Sequence, residues 1–313
     1  MIDRAAVLGV LEHILPAFQS HKRSNPDQVF ILGLSGLQGS GKSVWADALC
    51  KALNETLGIH ARALSLDDLY HCHQRLVSLR EQNPGNPLLR NRGQPGTHDE
   101  LLAASFFASL RQRPNNSELR KPIRFPAFDK GLFNGEGDRV DEESWKEIPP
   151  SPALDILIFE GWCLGFQPLS RDQLEAKWKS SRAIASQNRQ DGTPGTALAQ
   201  HDLANLLTIN DNLARYCSVF MGPSHFDALV HLTTDDLANV YRWRLDQEKA
   251  LREARGSGMT DAEVVRFIDI YMPSYELYLD SLNKGLFTPS SSGKPHIRVV
   301  LDPNRVVREI KIC

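Results

Sequence analysis

The β-branched and apolar run Val29–Leu34 leads into Gly36-Leu37-Gln38-Gly39-Ser40-Gly41-Lys42-Ser43. The stretch Ser43–Leu57 then repeats its apolar residues at helical spacing and stops before Gly58. No other feature of the chain constrains its fold as tightly. A G-x-x-x-x-G-K-S string between a strand and a helix is a phosphate cradle. Its glycines let the backbone curl until successive N–H groups face one point, and the helix N-terminus adds partial positive charge there. All eight residues are expected to contact the phosphates of ATP. Lys42 should reach the β- and γ-phosphates, and Ser43 should offer its hydroxyl to Mg²⁺. A chance glycine-rich helix cap would leave both flanking elements as coincidences.

Four further strand-length apolar runs follow: Ala61–Leu66, Asp155–Phe159, Ala228–Leu232 and Ile297–Leu301. Enough chain separates each from the next for a crossover helix, which implies a mostly parallel sheet. The expected fold is therefore α/β, a P-loop NTPase three-layer sandwich with a helical lid. At 313 residues one large domain accommodates all of this, opened by an N-terminal helix within residues 1–28. Long helical patterns run over Leu237–Ala254 and Ala262–Leu282, the second carrying Pro273, where a break is expected. The lid is expected within residues 237–256. Asn83–Thr97, rich in Gly, Pro and Asn, reads as an ordered functional loop. Ser180–Thr196, polar and rich in Gln and Ser, reads as a mobile insertion, because it has little apolar surface to offset the entropy of ordering it.

Composition narrows the function further. A net charge of −2 and a pI near 6.6 give no surplus of cations for a nucleic-acid backbone, so a small-molecule partner is expected. No apolar stretch approaches membrane-spanning length. The segment Met1–Phe18 carries Asp3 and Glu12 and reads as an amphipathic helix, not a targeting signal, so a cytoplasmic location is expected. Cys50, Cys72, Cys163, Cys217 and Cys313 are scattered, odd in number and without a C-x-x-C pair, as reduced thiols are. His71-Cys72-His73 lacks a spaced second pair of metal ligands. The sequence does not speak to oligomeric state.

A P-loop alone does not separate a kinase from a GTPase. The only Asn-Lys pair, in Asn283-Lys284-Gly285-Leu286, lacks the aspartate of the guanine-reading N-K-x-D motif. Two acidic positions favour phosphoryl transfer instead. Leu64-Ser65-Leu66-Asp67-Asp68 brings two carboxylates to the C-terminal edge of the second strand, where open α/β sheets bind ligands. Ile156-Leu157-Ile158-Phe159-Glu160 is an apolar strand ending in an acid, as a Walker B segment is, with Glu160 placed for Mg²⁺. Asp68 is a further Mg²⁺ candidate. Read as structure alone, these acids would cap helices.

The chain resembles D-glycerate 3-kinase and its fungal relatives, within the phosphoribulokinase, uridine kinase and pantothenate kinase group. The resemblance runs from the P-loop and Leu66-Asp67-Asp68-Leu69-Tyr70 through Leu79–Leu89, Arg92-Gly93 and Gly96-Thr97-His98-Asp99. It continues through Pro126–Lys130, Gly137-Asp138-Arg139 and Phe159–Phe166 to Tyr241-Arg242-Trp243-Arg244-Leu245 and Gly258-Met259-Thr260-Asp261. Leu69 stands where the family usually has Phe, and Ser180–Thr196 lengthens a region that is shorter in the plant enzymes. The resemblance implies that Asp67 is the general base taking the proton of a substrate hydroxyl. It also implies that Arg242 and Arg244 belong to the lid and stabilise the transferring phosphoryl group. By charge pattern alone, Arg242, Arg244, Lys249 and Arg252 would be a solvated helix face.

A small hydroxy acid needs a fixed cation and polar partners near the γ-phosphate. Lys130, Arg139 and Arg92 are the candidate cations, and Asp129, Asp138 and His98 the candidate hydrogen-bonding groups. The competing reading makes Asp129–Lys130 and Asp138-Arg139 turn residues and surface ion pairs. The expected reaction is transfer from MgATP to a hydroxyl of D-glycerate. The alternatives are a nucleoside- or pantothenate-like acceptor, or an ATP-binding regulatory protein without transfer.

Overall fold

The computed structural model describes residues 2–111, 121–191, 196–256, 258–287 and 293–313. Six strands form the central sheet: β1 (Phe30–Gly36), β2 (Ala61–Ser65), β3 (Ile156–Gly161), β4 (Ala228–Thr233), β5 (His296–Leu301) and β6 (Val307–Ile312). Their order is β6-β5-β4-β1-β3-β2. All neighbours are parallel except the β5–β6 pair. The five apolar runs became the five parallel strands. β6 was not foreseen: its Val-Arg-Glu-Ile-Lys-Ile pattern is half polar, as an exposed edge requires.

Strand alternation assigns the two faces. Phe30 of β1 turns toward α1 (Arg4–Ser24), where its ring meets Phe18 edge-on at 5.8 Å. Gly33, on the opposite face, pairs in register with Phe159 of β3, whose ring packs on Phe107 of α4 (Glu100–Arg111). Helices on both faces of a parallel sheet make the expected three layers. The remaining helices are α2 (Lys42–Lys51), α3 (His73–Gln82), α5 (Arg171–Asp191), α6 (Leu203–Tyr216), α7 (Ala238–Arg255), α8 (Asp261–Asp269) and α9 (Met272–Asn283).

α2 widens into a π-type turn over Ala52–Thr56, so the helical pattern read to Leu57 is present but not uniform. Pro273 sits in the first turn of α9, where its missing N–H leaves no bond unmade, and the break falls before it. Asn83–Thr97 is ordered by its own bonds: Thr97 Oγ1 accepts from Gly93 N and donates to the Gln94 carbonyl. Ser180–Asp191 differs from the irregular segment expected, for it continues α5. Ala183 and Ala185 favour a helix, and the earlier turns are anchored by buried Leu174 and by Trp178, whose indole donates to His201 O. Residues 192–195 lie outside those described.

Candidate active site

The order of the sheet reverses at β1: the chain leaves β1 for the edge strand β2, returns to β3 between them, then crosses to β4. Loops at the C-terminal ends of β1, β2 and β3 therefore converge. The register places Glu160 of β3 level with Leu34 of β1 and Ser65 of β2.

The loop after β1 is built for an anion. Gly41 caps α2 with φ +88°, and Gly39 has φ +76°, a left-handed geometry that side chains disfavour. The first N–H groups of α2 have no acceptor within the helix. Ser40 Oγ is buried without a hydrogen-bond partner among the described residues. Among the described residues Lys42 Nζ has only the Leu37 carbonyl, at 3.2 Å, and burial holds its pKa below the usual lysine value despite the opposing fields of Glu160 and Asp67. Ser43 Oγ donates to Glu160 Oε1 at 3.2 Å, and Glu160 is 7% exposed. Helix N–H groups without intrahelical acceptors, a desolvated ammonium, an orphaned hydroxyl and a hydroxyl–carboxylate pair fit a triphosphate with its divalent cation.

Across from the loop, Asp67 follows β2 and is 2.5 Å from Lys130 Nζ. Burial acts to raise the Asp67 pKa. The charge and hydrogen bond of Lys130 outweigh it, with help from His98 and Tyr70, and hold the carboxyl below the usual aspartate value. Lys130 arrives on a short hairpin, Phe128–Asp129 paired with Asp138–Arg139, too brief to leave a periodic signature in sequence.

Asp68, the further Mg²⁺ candidate, is engaged in its own turn. Its Oδ2 accepts from Ser65 N at 3.1 Å, closing a capping box with the Ser65 side chain. Burial raises its pKa to about 6 against the N–H groups of Ser65 and Phe128, so the carboxyl serves the turn that aims Asp67.

The other polar candidates divide in the same way. Asp129 Oδ1 accepts from Gly131 N, and Asp138 Oδ1 from His73 N and Arg139 N. Arg139 is held by Asp99 and by the Tyr70 carbonyl, at 2.8 and 2.9 Å. These three shape the hairpin and its seat. Arg92 lies over the Phe128 ring and donates to the carbonyls of Gly135 and Glu136. His98 is fully buried, stacks on Tyr70 at 4.3 Å, and has its Nδ1 3.0 Å from the Tyr216 hydroxyl. Tyr216 also accepts from Gly96 N and His98 N. It lies so far along the chain from both that no local signal could have exposed the link.

Burial pushes His98 down to about 3, so the imidazole is neutral in the fold. A histidine depressed from 6.5 binds its proton more readily in the unfolded chain. Its contribution to stability is thus complete above that value and is lost as pH falls through it. Between there and about pH 5, His98 alone should remove roughly 2 kcal/mol. In His98→Gln, proton uptake on urea unfolding near pH 5 should fall by about one, giving a flatter acid limb than wild type. An unchanged limb would contradict the neutral assignment.

The two arginines of α7 diverge because residues two apart on a helix point roughly 200° apart. Arg242 is exposed and its Nη2 is 3.4 Å from Asn304 in the β5–β6 turn. Arg244 is half-buried, lies over Phe267 at 5.2 Å and pairs with Glu248. Its charge is felt at the Tyr271 hydroxyl, which Asp67 and Arg92 also influence. Between them, fully buried Trp243 donates its indole N–H to Pro303 O and packs on the P-loop, where a Cβ on Gly39 would fall 2.8 Å from its own Cβ. The sequence reading passed over Trp243.

No family model matches the chain. A solved structure of D-glycerate 3-kinase from Cryptococcus neoformans superimposes with a TM-score of 0.84 at 32% identity, covering 98% of this chain and 99% of that one. The chain belongs to the D-glycerate 3-kinase family of P-loop kinases. It is accordingly an ATP-dependent phosphotransferase with a hydroxyl acceptor. Similarity within the family extends to an uncharacterised kinase of Schizosaccharomyces pombe, mug58, 36% identical over 289 residues, or 91% of this chain and 92% of the relative. The chloroplastic D-glycerate 3-kinase of Arabidopsis thaliana is 32% identical over 296 residues. The match takes in 93% of this chain but 55% of that protein's length. Among the described residues no helix is long and apolar enough to cross a membrane.

Proposed function

We propose that this kinase transfers the γ-phosphoryl group of ATP to a hydroxyl of D-glycerate, with Asp67 taking the hydroxyl proton. The observation that carries the reading is the Asp67–Lys130 pair, whose two charges both act on Lys42. It sets a proton acceptor and an exposed cation beside the phosphate cradle. An acceptor whose primary hydroxyl carbon is separated from its carboxylate by a single carbon matches that pair, the primary hydroxyl at Asp67 and the carboxylate at Lys130, with Arg92 adding charge.

Lys42 holds the β- and γ-phosphates as negative charge shifts toward the leaving oxygen. Ser43 and Glu160 would hold Mg²⁺, which supplies charge neutralisation across the two phosphates. Arg244 grips an oxygen of the transferring group, and its helix excludes water from the cleft. Arg139, Asp138 and Asp129 keep the hairpin seated so that Lys130 reaches its place, and neutral His98 supports Tyr70 beside Asp67. Asp68 and Arg242 have no direct part.

The arginines are separable by kinetics. Arg244→Ala should lower the turnover number by a factor on the order of 10² and leave ATP affinity in the absence of acceptor nearly intact. Arg242→Ala should change stability by about 0–1 kcal/mol and turnover little. Equal effects would show that the two side chains share a role.

The acceptor itself is tested by coupled ADP release with D-glycerate, L-glycerate, glycerol, uridine and pantothenate. Phosphorus NMR would locate the new ester. Turnover with D-glycerate and a phosphate on its primary hydroxyl is the expected result. Turnover with uridine or pantothenate and none with glycerate would overturn the assignment of acceptor. ATP binding without any product would overturn transfer as well.

A further inference from the structure

We infer that Glu248 is a positioning residue that presets the guanidinium of Arg244 for the transferring phosphoryl group. The inference rests on the reading of Arg244 given above. Glu248 is 2% exposed, and a carboxylate that deep is retained only with strong partners. It has two. Oε1 accepts from Met259 N at 2.8 Å, and Oε2 lies 2.7 Å from Arg244 Nη2, one helical turn earlier on α7. Gly258 leaves the room for this, since a Cβ there would stand 2.7 Å from Glu248 Oε1.

The guanidinium is therefore fixed in two independent ways. Phe267 of α8 holds its Cζ 5.2 Å from the ring centroid, and the Glu248 carboxylate holds Nη2 by charge at 2.7 Å. What remains is informative: Arg244 Nε is buried and has no hydrogen-bond partner among the described residues. The backbone N of Arg244 would be 3.1 Å from a Cβ on Gly39, so the residue starts from the wall of the phosphate loop. An oriented, desolvated N–H without an acceptor, beside a cradle for phosphates, suits an oxygen that arrives with the nucleotide. An arginine held in this way needs no rearrangement at the moment of transfer. A free one would have to find its geometry among many rotamers.

A purely structural role, tying α7 to the connection before α8 through Met259, predicts something different, and the substitutions separate the two. Glu248→Gln retains an oxygen for Met259 N but turns an amide N–H toward Arg244. The expected result is a turnover number lower by a factor on the order of 10–100, with KM for ATP within about two-fold of wild type. In an Arg244→Ala background, Glu248→Gln should then have no further effect on turnover, because its target is gone. If Glu248→Gln does not fold, Glu248→Asp is measured in the same cycle. It keeps the charge but draws it back from the guanidinium, and its loss should likewise vanish without Arg244.

Wild-type turnover in Glu248→Gln alongside a slow Arg244→Ala would overturn the inference and leave the Arg244 reading intact. Losses that multiply in the double variant, together with a lowered melting temperature, would assign Glu248 to structure alone and overturn it as well. Wild-type turnover in Arg244→Ala would remove both readings together.

Discussion

Lys42→Ala should reduce phosphoryl transfer by a factor on the order of 10³ and greatly weaken ATP binding. Lys42 carries the only cationic side chain of the P-loop string, and its ammonium has just one carbonyl as partner among the described residues. An ammonium taken out of water and left nearly unsatisfied is unfavourable in the free protein, as its lowered pKa reflects. Two phosphate oxygens relieve that state, so the ligand recovers what the fold has spent on the position. Alanine removes the charge without disturbing the backbone curl, which the glycines maintain. Folding should therefore survive, and isothermal titration with ATP plus steady-state turnover would read the loss. Near-normal turnover would mean that the phosphates lie elsewhere.

Asp67→Asn should lower the turnover number by a factor on the order of 10²–10⁴ while changing ATP affinity modestly. The amide keeps the shape of the side chain and its place after β2 but cannot take a proton. Lys130 then loses its charged partner, and since that lysine is 58% exposed, water replaces the pair at little energetic consequence. The measurement is kcat against KM for ATP and for the acceptor separately. A defect confined to ATP affinity would move Asp67 from proton transfer to nucleotide binding. The depressed pKa of the wild-type carboxyl adds a pH signature: Asp67 should stay ionised through neutral pH, with activity falling only in acid below the ordinary aspartate range.

The architecture was legible because its signals are dense and local. A strand, eight cradle residues and a helix in succession fix the centre of the sheet, and four more apolar runs fill the parallel strands. What sequence could not give was direction. Asp67 and Asp68 are adjacent and chemically identical. Only the capping box with Ser65 shows that one carboxylate closes a turn while its neighbour faces Lys130. Arg242 and Arg244 matched the same family segment, yet helical geometry sends them to opposite surroundings. Tyr216 and Glu248 were missed for a different reason: their meaning depends on partners brought in by tertiary folding or on burial that a polar pattern conceals. Ser180–Asp191 was misread because low apolar content was taken as irregularity, when anchoring by the preceding turns suffices to carry a helix on.

The contact between Gly39 and Trp243 also bears on how this kinase can vary over time. A glycine in a tight turn is ordinarily explained by its own backbone, but here the space for a side chain is already occupied by Trp243 Cβ and the backbone of Trp243 and Arg244, distant in sequence. Trp243 is in turn committed to Pro303 through its indole. A lineage cannot enlarge position 39 first without dislodging the helix, nor shrink position 243 first without opening a void behind the turn. Because the blocking atoms are Trp243 Cβ and the backbone of Trp243 and Arg244, which remain when the side chain shrinks, no change at position 243 makes room at position 39, and the glycine is held by the placement of α7 itself.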